Sequence, residues 1–354
     1  MLFDLFKNHD RYANLEPRGE KLLLPAGEKL LNAALDAGIA WPHDCRVGSC
    51  GKCRCILKEG KIKPLADFSY TLDGNEISMG TILACQSQLK TDIVVEVSVD
   101  ETATPTQKVA GTIGRVEQLT HDIVEIEIEL ETIAFAGTLA GQYFEVSNDE
   151  IPLPRSYSLA RRPLPDGVSS VVFTIRHVPG GEFTGWLFSK DRVGDALTLR
   201  GPYGDFYLRP PRGRLLCIAG GSGLAPIIAL IEQGINDKRT DQCIVLFGAK
   251  TQDDLYYIER LDELANQWLG EFQLIPILSE EPSGSNWQGA RGLVTEQLKS
   301  VAGPEGFISD QAYLCGPPAM IDAAIAELTH LNLSEKNIYF DKFLDASSMP
   351  AGRT

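Results

Sequence analysis

The sequence predicts a multidomain α+β protein: a small α+β module, then an antiparallel β-barrel, then a parallel α/β sheet. Three observations predict it. The chain has 354 residues, enough for about two or three domains at roughly 100–200 residues each. Hydrophobic residues make up 44% and charged residues 23%, so ordinary cores can be buried and a largely disordered chain is excluded. The hydrophobic period also changes along the chain. Short alternating strands between Gly/Pro turns give way after Arg212 to apolar strands alternating with helical stretches.

In the first module, residues 1–100, Glu28 to Ala37 has apolar side chains at helical spacing and Gly38 as a stop. Ile93, Val95, Val97 and Val99 alternate as a strand. Between them lie five of the eight cysteines: Cys45, Cys50, Cys53, Cys55 and Cys85. Cys45-x4-Cys50-x2-Cys53 with a distant Cys85 is the order of a plant-type [2Fe–2S] cluster, so these four are the expected metal ligands. The intervening Arg46, Gly48, Ser49 and Gly51 make a short loop whose N–H groups can point at the sulfides. A zinc knuckle, a redox pair of Cys50 and Cys53, or buried spare thiols are the other readings. Zinc sites pair two CxxC or CxxH arms, and only one arm is present. Cys55 reads as a small buried residue, and His43, beside Asp44 and Cys45, as a loop-ordering or exposed residue. Residues 101–108, polar with a Pro and three Thr, read as a linker.

The second module, 109–210, opens with Val124, Ile126, Ile128 and Leu130 alternating with glutamates. Similar strands are expected at 142–147, 157–160, 171–176, 196–200 and 206–208, as in a small barrel. Arg155-Ser156-Tyr157-Ser158 sits at a strand entry and offers a guanidinium, an aromatic ring and hydroxyls to a flat phosphorylated cofactor. Val178, Gly180, Gly181 and Thr184 follow a strand and enter a helix, where backbone amides can hold phosphate. An exposed arginine on a barrel strand and a plain hairpin turn are the bland alternatives.

In the third module, 211–354, the strand LLCIA runs into Gly220-Gly221-Ser222-Gly223-Leu224-Ala225-Pro226 and a helix, the place where a doubly wound sheet holds a dinucleotide pyrophosphate. Pro226 stands where a Rossmann fingerprint has its third glycine, and no Lys makes the segment a Walker loop. Cys315-Gly316-Pro317-Pro318 again joins a strand to a helix at the same sheet edge. A buried structural thiol is the alternative for Cys315.

Charge and hydropathy narrow the functions. The net charge is −15, against a nucleic-acid partner, whose phosphates call for basic patches. The longest uncharged apolar stretch, Leu215 to Ile231, is shorter than the roughly 20 residues of a spanning helix and is broken by glycines and Pro226. The N-terminus has no signal-peptide core, and a cytoplasmic location is expected.

Together and in order, the cysteine loop, Arg155-Ser156-Tyr157-Ser158, Gly220 to Pro226 and Cys315-Gly316-Pro317-Pro318 resemble the NADH-dependent oxygenase reductases over about residues 17–345. These include benzoate dioxygenase reductase and the reductases of methane, toluene, phenol and xylene monooxygenases. The resemblance implies a β-grasp ferredoxin domain, an FAD-binding barrel and an NAD-binding α/β domain. It implies that Arg155, Ser156, Tyr157 and Ser158 hold FAD, and that Val178, Gly180, Gly181 and Thr184 close its phosphate site. Gly220, Gly221, Ser222, Gly223 and Pro226 would take NADH. Cys315, with Gly316 and Pro317, would lie beside the nicotinamide, making Cys315 and Tyr157 the expected catalytic contacts. Phe340 and Phe343 match an aromatic region near the flavin.

Glu280 follows the strand LIPIL where NADP-using relatives carry a Ser-Arg pair; a carboxylate there repels a 2′-phosphate and favours NADH, an exposed acidic loop with no role being the alternative. The expected path runs from NADH to FAD to [2Fe–2S] to an external acceptor. That acceptor would be a terminal oxygenase or hydroxylase, di-iron or Rieske, soluble or membrane-bound. A deoxysugar dehydrase is the enzyme alternative, and a non-turnover redox sensor the other class. The first 100 residues carry 12 Lys/Arg against 14 Asp/Glu, too nearly neutral for docking governed by long-range charge. Trp41 and Pro42 are the candidate apolar contacts near the cluster, a core position being the equal alternative for Trp41.

Overall fold

The computed structural model describes residues 9–343 apart from 44, 45, 49, 99–103 and 152. Its chain divides into two compact units, one of residues up to 106 together with 203–205, the other of 107–202 together with 206 onward.

The first unit is built on a five-stranded sheet in the spatial order Glu20–Leu24, Arg11–Glu16, Ile93–Glu96, Arg54–Glu59, Thr81–Leu83. The first two strands form an antiparallel hairpin, and Arg11–Glu16 pairs parallel with Ile93–Glu96. Parallel pairing requires a long crossover, and the helix and cysteine loop lie within it. Ala13 and Leu15 are buried while Tyr12 and Asn14 are exposed, the period-two pattern of a sheet with one face on a core. Helix Leu30–Asp36 buries Leu30, Leu31, Ala33, Ala34 and Leu35. It starts two residues after the predicted Glu28, whose carboxylate instead accepts from Lys29 N and Asn32 Nδ2, both at 2.9 Å. This is the β-grasp arrangement expected.

The second unit holds two sheets. Six strands run in the order Arg155–Ser158, Tyr143–Ser147, Ala196–Tyr203, Gln107–Gln118, Ile123–Ala134, Val168–Arg176. A bridge between Leu159 and Phe173 joins the two ends of that order, closing the barrel over a core that includes Phe144, Phe173 and Phe183. Two expectations need correction. Strand begins at Gln107, inside the segment read as linker. The strand expected at 206–208 is absent, because Phe206 is apolar for another reason: it packs edge-on against Tyr313 of the next sheet, centroids 5.9 Å apart.

The other sheet is parallel, in the order Ala290–Arg291, Phe272–Leu278, Cys243–Ala249, Leu215–Gly220, Gln311–Gly316, Ile338–Lys342. Every residue of Leu215–Gly220 and Gln311–Gly316 is buried, as continuous apolar runs in a sheet covered on both faces require. The helices Leu224–Asn236 and Pro318–His330 enclose the stretches Ile227 to Gln233 and Met320 to Leu328 that read as helical, and Ile258–Gln267 stops one residue short of the expected Trp268. The chain builds outward from Leu215–Gly220 on one side and from Gln311–Gly316 on the other. The switch point therefore falls between these two strands, and ligands of such sheets bind at its carboxyl edge.

Candidate cofactor and electron-transfer sites

In the first unit the cysteine loop turns through three left-handed residues, Arg46, Gly48 and Gly51, with φ of 56°, 89° and 71°. Such turns point successive N–H groups to one side, a concavity that suits an anionic cluster. The loop is tied down by its neighbours: Thr71 Oγ1 donates to Gly48 O at 2.6 Å, and Gln86 Nε2 donates to Arg46 O at 3.3 Å. The distant cysteine of the motif arrives by sheet pairing. Ala84 N donates to Cys53 O at 3.1 Å, so Cys85, next in the chain, lies beside the loop despite its separation in sequence. Cys53 and Cys85 are buried and Cys50 is half-buried; Cys45 lies outside the described residues.

Cys55 is buried in the strand Arg54–Glu59. Burial pushes its thiol up, beyond reach of ionisation at neutral pH, consistent with a packing role. His43 is not an exposed base. Its Nδ1 lies 2.7 Å from Trp41 O, and burial pushes its pKa down to about 4, so the ring is neutral at pH 7. Trp41 is 1% exposed. Of its two readings the core position therefore holds, whereas Pro42 is exposed.

At the switch point of the second unit, Ala219 pairs with Cys315. A Cβ on Gly223 would stand 2.2 Å from Cys315 O and 2.5 Å from its carbonyl carbon. Only glycine lets the turn Gly221–Gly223 sit directly on the Cys315–Gly316 backbone. Cys315 is fully buried, and Pro226 is buried in the first turn of helix Leu224–Asn236. Pro317 caps helix Pro318–His330. The two segments read separately from the sequence thus form one surface at the sheet's carboxyl edge. Glu280 stands past the end of Phe272–Leu278, exposed and 3.1 Å from Lys250 Nζ.

On the barrel, strand alternation separates the tetrapeptide. Ser156 faces solvent, while Tyr157 packs its ring against Phe173 and Phe183 at 6.3 and 5.5 Å. Arg155 Nη2 pairs with Glu182 Oε2 at 3.0 Å, which brings Arg155 to the Val178–Thr184 turn. Within that turn the Thr184 hydroxyl accepts from Val178 N at 3.1 Å and so shapes the turn, while Gly180 lies exposed at its tip.

Ser158 is buried and donates to Asp341 Oδ2 at 2.9 Å. Asp341 lies on Ile338–Lys342, in register with Cys315. One hydrogen bond therefore joins the barrel motif to the switch point. Sequence reading passed over Asp341 although it sits between Phe340 and Phe343; a carboxylate inside an apolar strand run was the available signal. Phe343 packs on the core that contains Tyr313 and Cys315. Phe340 packs on the opposite face with Leu314 and Ile338, away from Ser158.

A cysteine-loop domain, a flavin-type barrel and a dinucleotide-type sheet define a three-module flavin and iron–sulfur oxidoreductase. Three domain families match in the same order: the 2Fe-2S iron-sulfur cluster binding domain over residues 13–90, the oxidoreductase FAD-binding domain over 110–207 and the oxidoreductase NAD-binding domain over 217–325. The xylene/toluene monooxygenase electron transfer component of Pseudomonas putida is 41% identical over 329 residues, covering 92% of this chain and 91% of the relative. The reductase component of phenol 2-monooxygenase from Pseudomonas sp. (strain CF600) is 34% identical over 94% of each chain. Among solved structures, an Amycolatopsis cytochrome P450 reductase matches with a TM-score of 0.80 and 28% identity, covering 94% of this chain and 98% of that one. The ferredoxin reductase of carbazole 1,9a-dioxygenase matches at 0.76, also with 28% identity, covering 95% and 99%. The chain belongs to the electron-transfer reductase components of multicomponent oxygenases, with binding domains for NAD, FAD and a [2Fe–2S] cluster. No helix among the described residues is long and apolar enough to cross a membrane.

Proposed function

We propose that this protein takes hydride from NADH at the switch point and delivers single electrons, by way of FAD and the cysteine-loop cluster, to the terminal oxygenase of a hydrocarbon- or aromatic-oxidising system. The observation that carries the reading is the meeting of Gly223, Cys315 and, through Asp341, Ser158 at one sheet edge. That edge is where a nicotinamide and a flavin would have to meet. Flavin, when bound, supplies the conversion of two-electron hydride chemistry into single-electron steps.

The chain's own residues position and shield. Ser158, donating to Asp341, keeps its lone pairs for the polar edge of the ring. Tyr157 offers an apolar face, and burial pushes its phenol up so that it stays neutral. Cys315, fully buried, would exclude water beside a nicotinamide held at this edge. Cys45, Cys50, Cys53 and Cys85 would hold the cluster, and the N–H groups of their loop would offset its charge. Anaerobic titration with NADH tests the assignment: flavin and cluster absorbance should both bleach, and NADH reducing neither would refute it.

The 41% identity to a xylene/toluene monooxygenase component supports a monooxygenase as the acceptor. The segment from Phe68 to Met79 carries three exposed apolar side chains, Tyr70, Ile77 and Met79, with Tyr70 83% exposed. They lie on the segment that grips the loop through Thr71 and through the Arg54–Glu76 pair at 3.2 Å. We infer that the oxygenase docks there. Replacing Tyr70 and Met79 together by Ala should slow oxygenase-coupled NADH oxidation about tenfold, the scale of one or two lost anchors. Ferricyanide reduction should be unaltered, and equal coupled rates would sink this surface.

Removing the Glu280 carboxylate leaves Lys250 available to a 2′-phosphate. Glu280→Gln is therefore expected to shift the NADPH to NADH ratio of kcat/KM upward by about tenfold, on the order of 1.4 kcal/mol. An unchanged ratio would mean that the selectivity lies elsewhere.

A further inference from the structure

Glu125, on the barrel strand Ile123–Ala134, is a carboxylate with 2% exposure. Buried charge persists only when paired and hydrogen-bonded. Here Arg115 and Arg161 both donate to it, Arg161 at 2.9 Å, and the phenol of Tyr257 donates to the same oxygen as Arg161. Tyr257 belongs to the parallel-sheet half, where it caps helix Ile258–Gln267 in a left-handed conformation, φ 59°. A bulky residue takes that conformation only when its surroundings impose it. The preceding residue, Tyr256, is buried and donates to Gly221 O at 2.9 Å. Its ring stands edge-on to Phe247 at 5.6 Å and lies 5.0 Å from that of Tyr257. A second tie runs alongside: Glu232, on the helix that follows the glycine turn, accepts from Arg162 N at 2.8 Å and from Arg260 at 2.5 Å.

The consequence for the glycine turn follows from peptide geometry. In a planar trans peptide the carbonyl and the next N–H point in opposite directions. Drawing the Gly221 carbonyl toward Tyr256 therefore aims the N–H of Ser222 to the other side. We infer that Tyr256 and Tyr257 are positioning residues for dinucleotide binding, setting the peptide plane of the Gly221–Gly223 turn from a carboxylate anchored in the barrel. Burial pushes both phenols up, so each remains a donor across the working pH range. The inference rests on the reading of Gly221–Gly223 as the dinucleotide turn.

The test uses the full FAD-loaded chain, with NADH kinetics read by ferricyanide so that the cluster and its partner are bypassed. Tyr→Phe keeps shape and packing and removes only the hydroxyl; flavin content and melting temperature check folding. Tyr256→Phe should raise the NADH KM about fivefold, the scale of one hydrogen bond, with kcat within about twofold, and Tyr257→Phe about threefold. Because the two bonds lie in series, the double variant should resemble Tyr256→Phe instead of their product. Gly221→Ala tests the underlying assignment: its Cβ meets nothing within 4 Å, but its φ of 53° strains any side chain, so KM should rise. If Gly221→Ala raises KM and neither Phe variant does, the positioning role is refuted while the turn assignment stands. If Gly221→Ala leaves KM unchanged, the assignment fails and the inference with it. A fall in kcat at constant KM in the Phe variants also refutes it.

Discussion

Replacing Cys50 by Ser is expected to leave NADH-driven flavin bleaching intact while electron delivery to cytochrome c or to the oxygenase falls by on the order of 100-fold or more. Serine presents a hard, weakly acidic oxygen where the cluster requires a thiolate, and the loop has no slack to recruit a substitute, held as it is by Thr71 and Gln86. The informative partner is Cys55→Ser. Cys55 lies two residues past Cys53 in the same cysteine run, but its thiol is buried and pushed up by burial. That variant should retain the cluster spectrum and lose only stability, by about 1–3 kcal/mol for a hydroxyl without a partner. Visible absorbance of the reduced and oxidised proteins, with cytochrome c and ferricyanide rates, separates the two outcomes. Loss of the cluster in Cys55→Ser with retention in Cys50→Ser would reverse the ligand assignment.

Gly223→Ala should produce the next largest effect. The added carbon would meet the Cys315 carbonyl at 2.2 Å and Gly316 N at 2.8 Å, and these are backbone atoms of a central strand that cannot rotate aside. Overpacking of this kind costs about 1–3 kcal/mol even among movable side chains. If the turn lifts from the strand to relieve it, the loss falls on NADH binding, and about 3 kcal/mol corresponds to roughly 100-fold in flavin reduction at limiting NADH. The barrel lies outside this contact, so FAD content should be unchanged. Stopped-flow flavin reduction against NADH concentration reads the effect; a rate within threefold of wild type would mean that the close approach does not position the turn.

Both of these sites could be read from short stretches of chain. The cysteine ligands declare themselves through local spacing, since a four-residue and a two-residue gap define how tightly a loop can wrap. The glycine turns are equally local, because the chemistry of a left-handed or sterically closed backbone position belongs to the residue that occupies it. Strand and helix periods in the third module were legible for the same reason: each fully buried run reports its own surroundings. Periodicity failed where an apolar residue serves a neighbour distant in sequence. Phe206 packs on Tyr313 without being a strand residue.

The sequence by itself determined the order of three modules, the cofactor each accommodates and the short motifs proposed to meet those cofactors. Only the tertiary structure decided which residues share a site. Asp341 reaches Ser158 across 183 positions, Tyr256 reaches Gly221 across 35, and Phe340 and Phe343 part to opposite faces of one sheet. The reason is physical: backbone conformation and burial period are set by nearest neighbours, whereas a hydrogen bond between distant strands exists only once sheet order and register have brought its donor within about 3 Å of its acceptor.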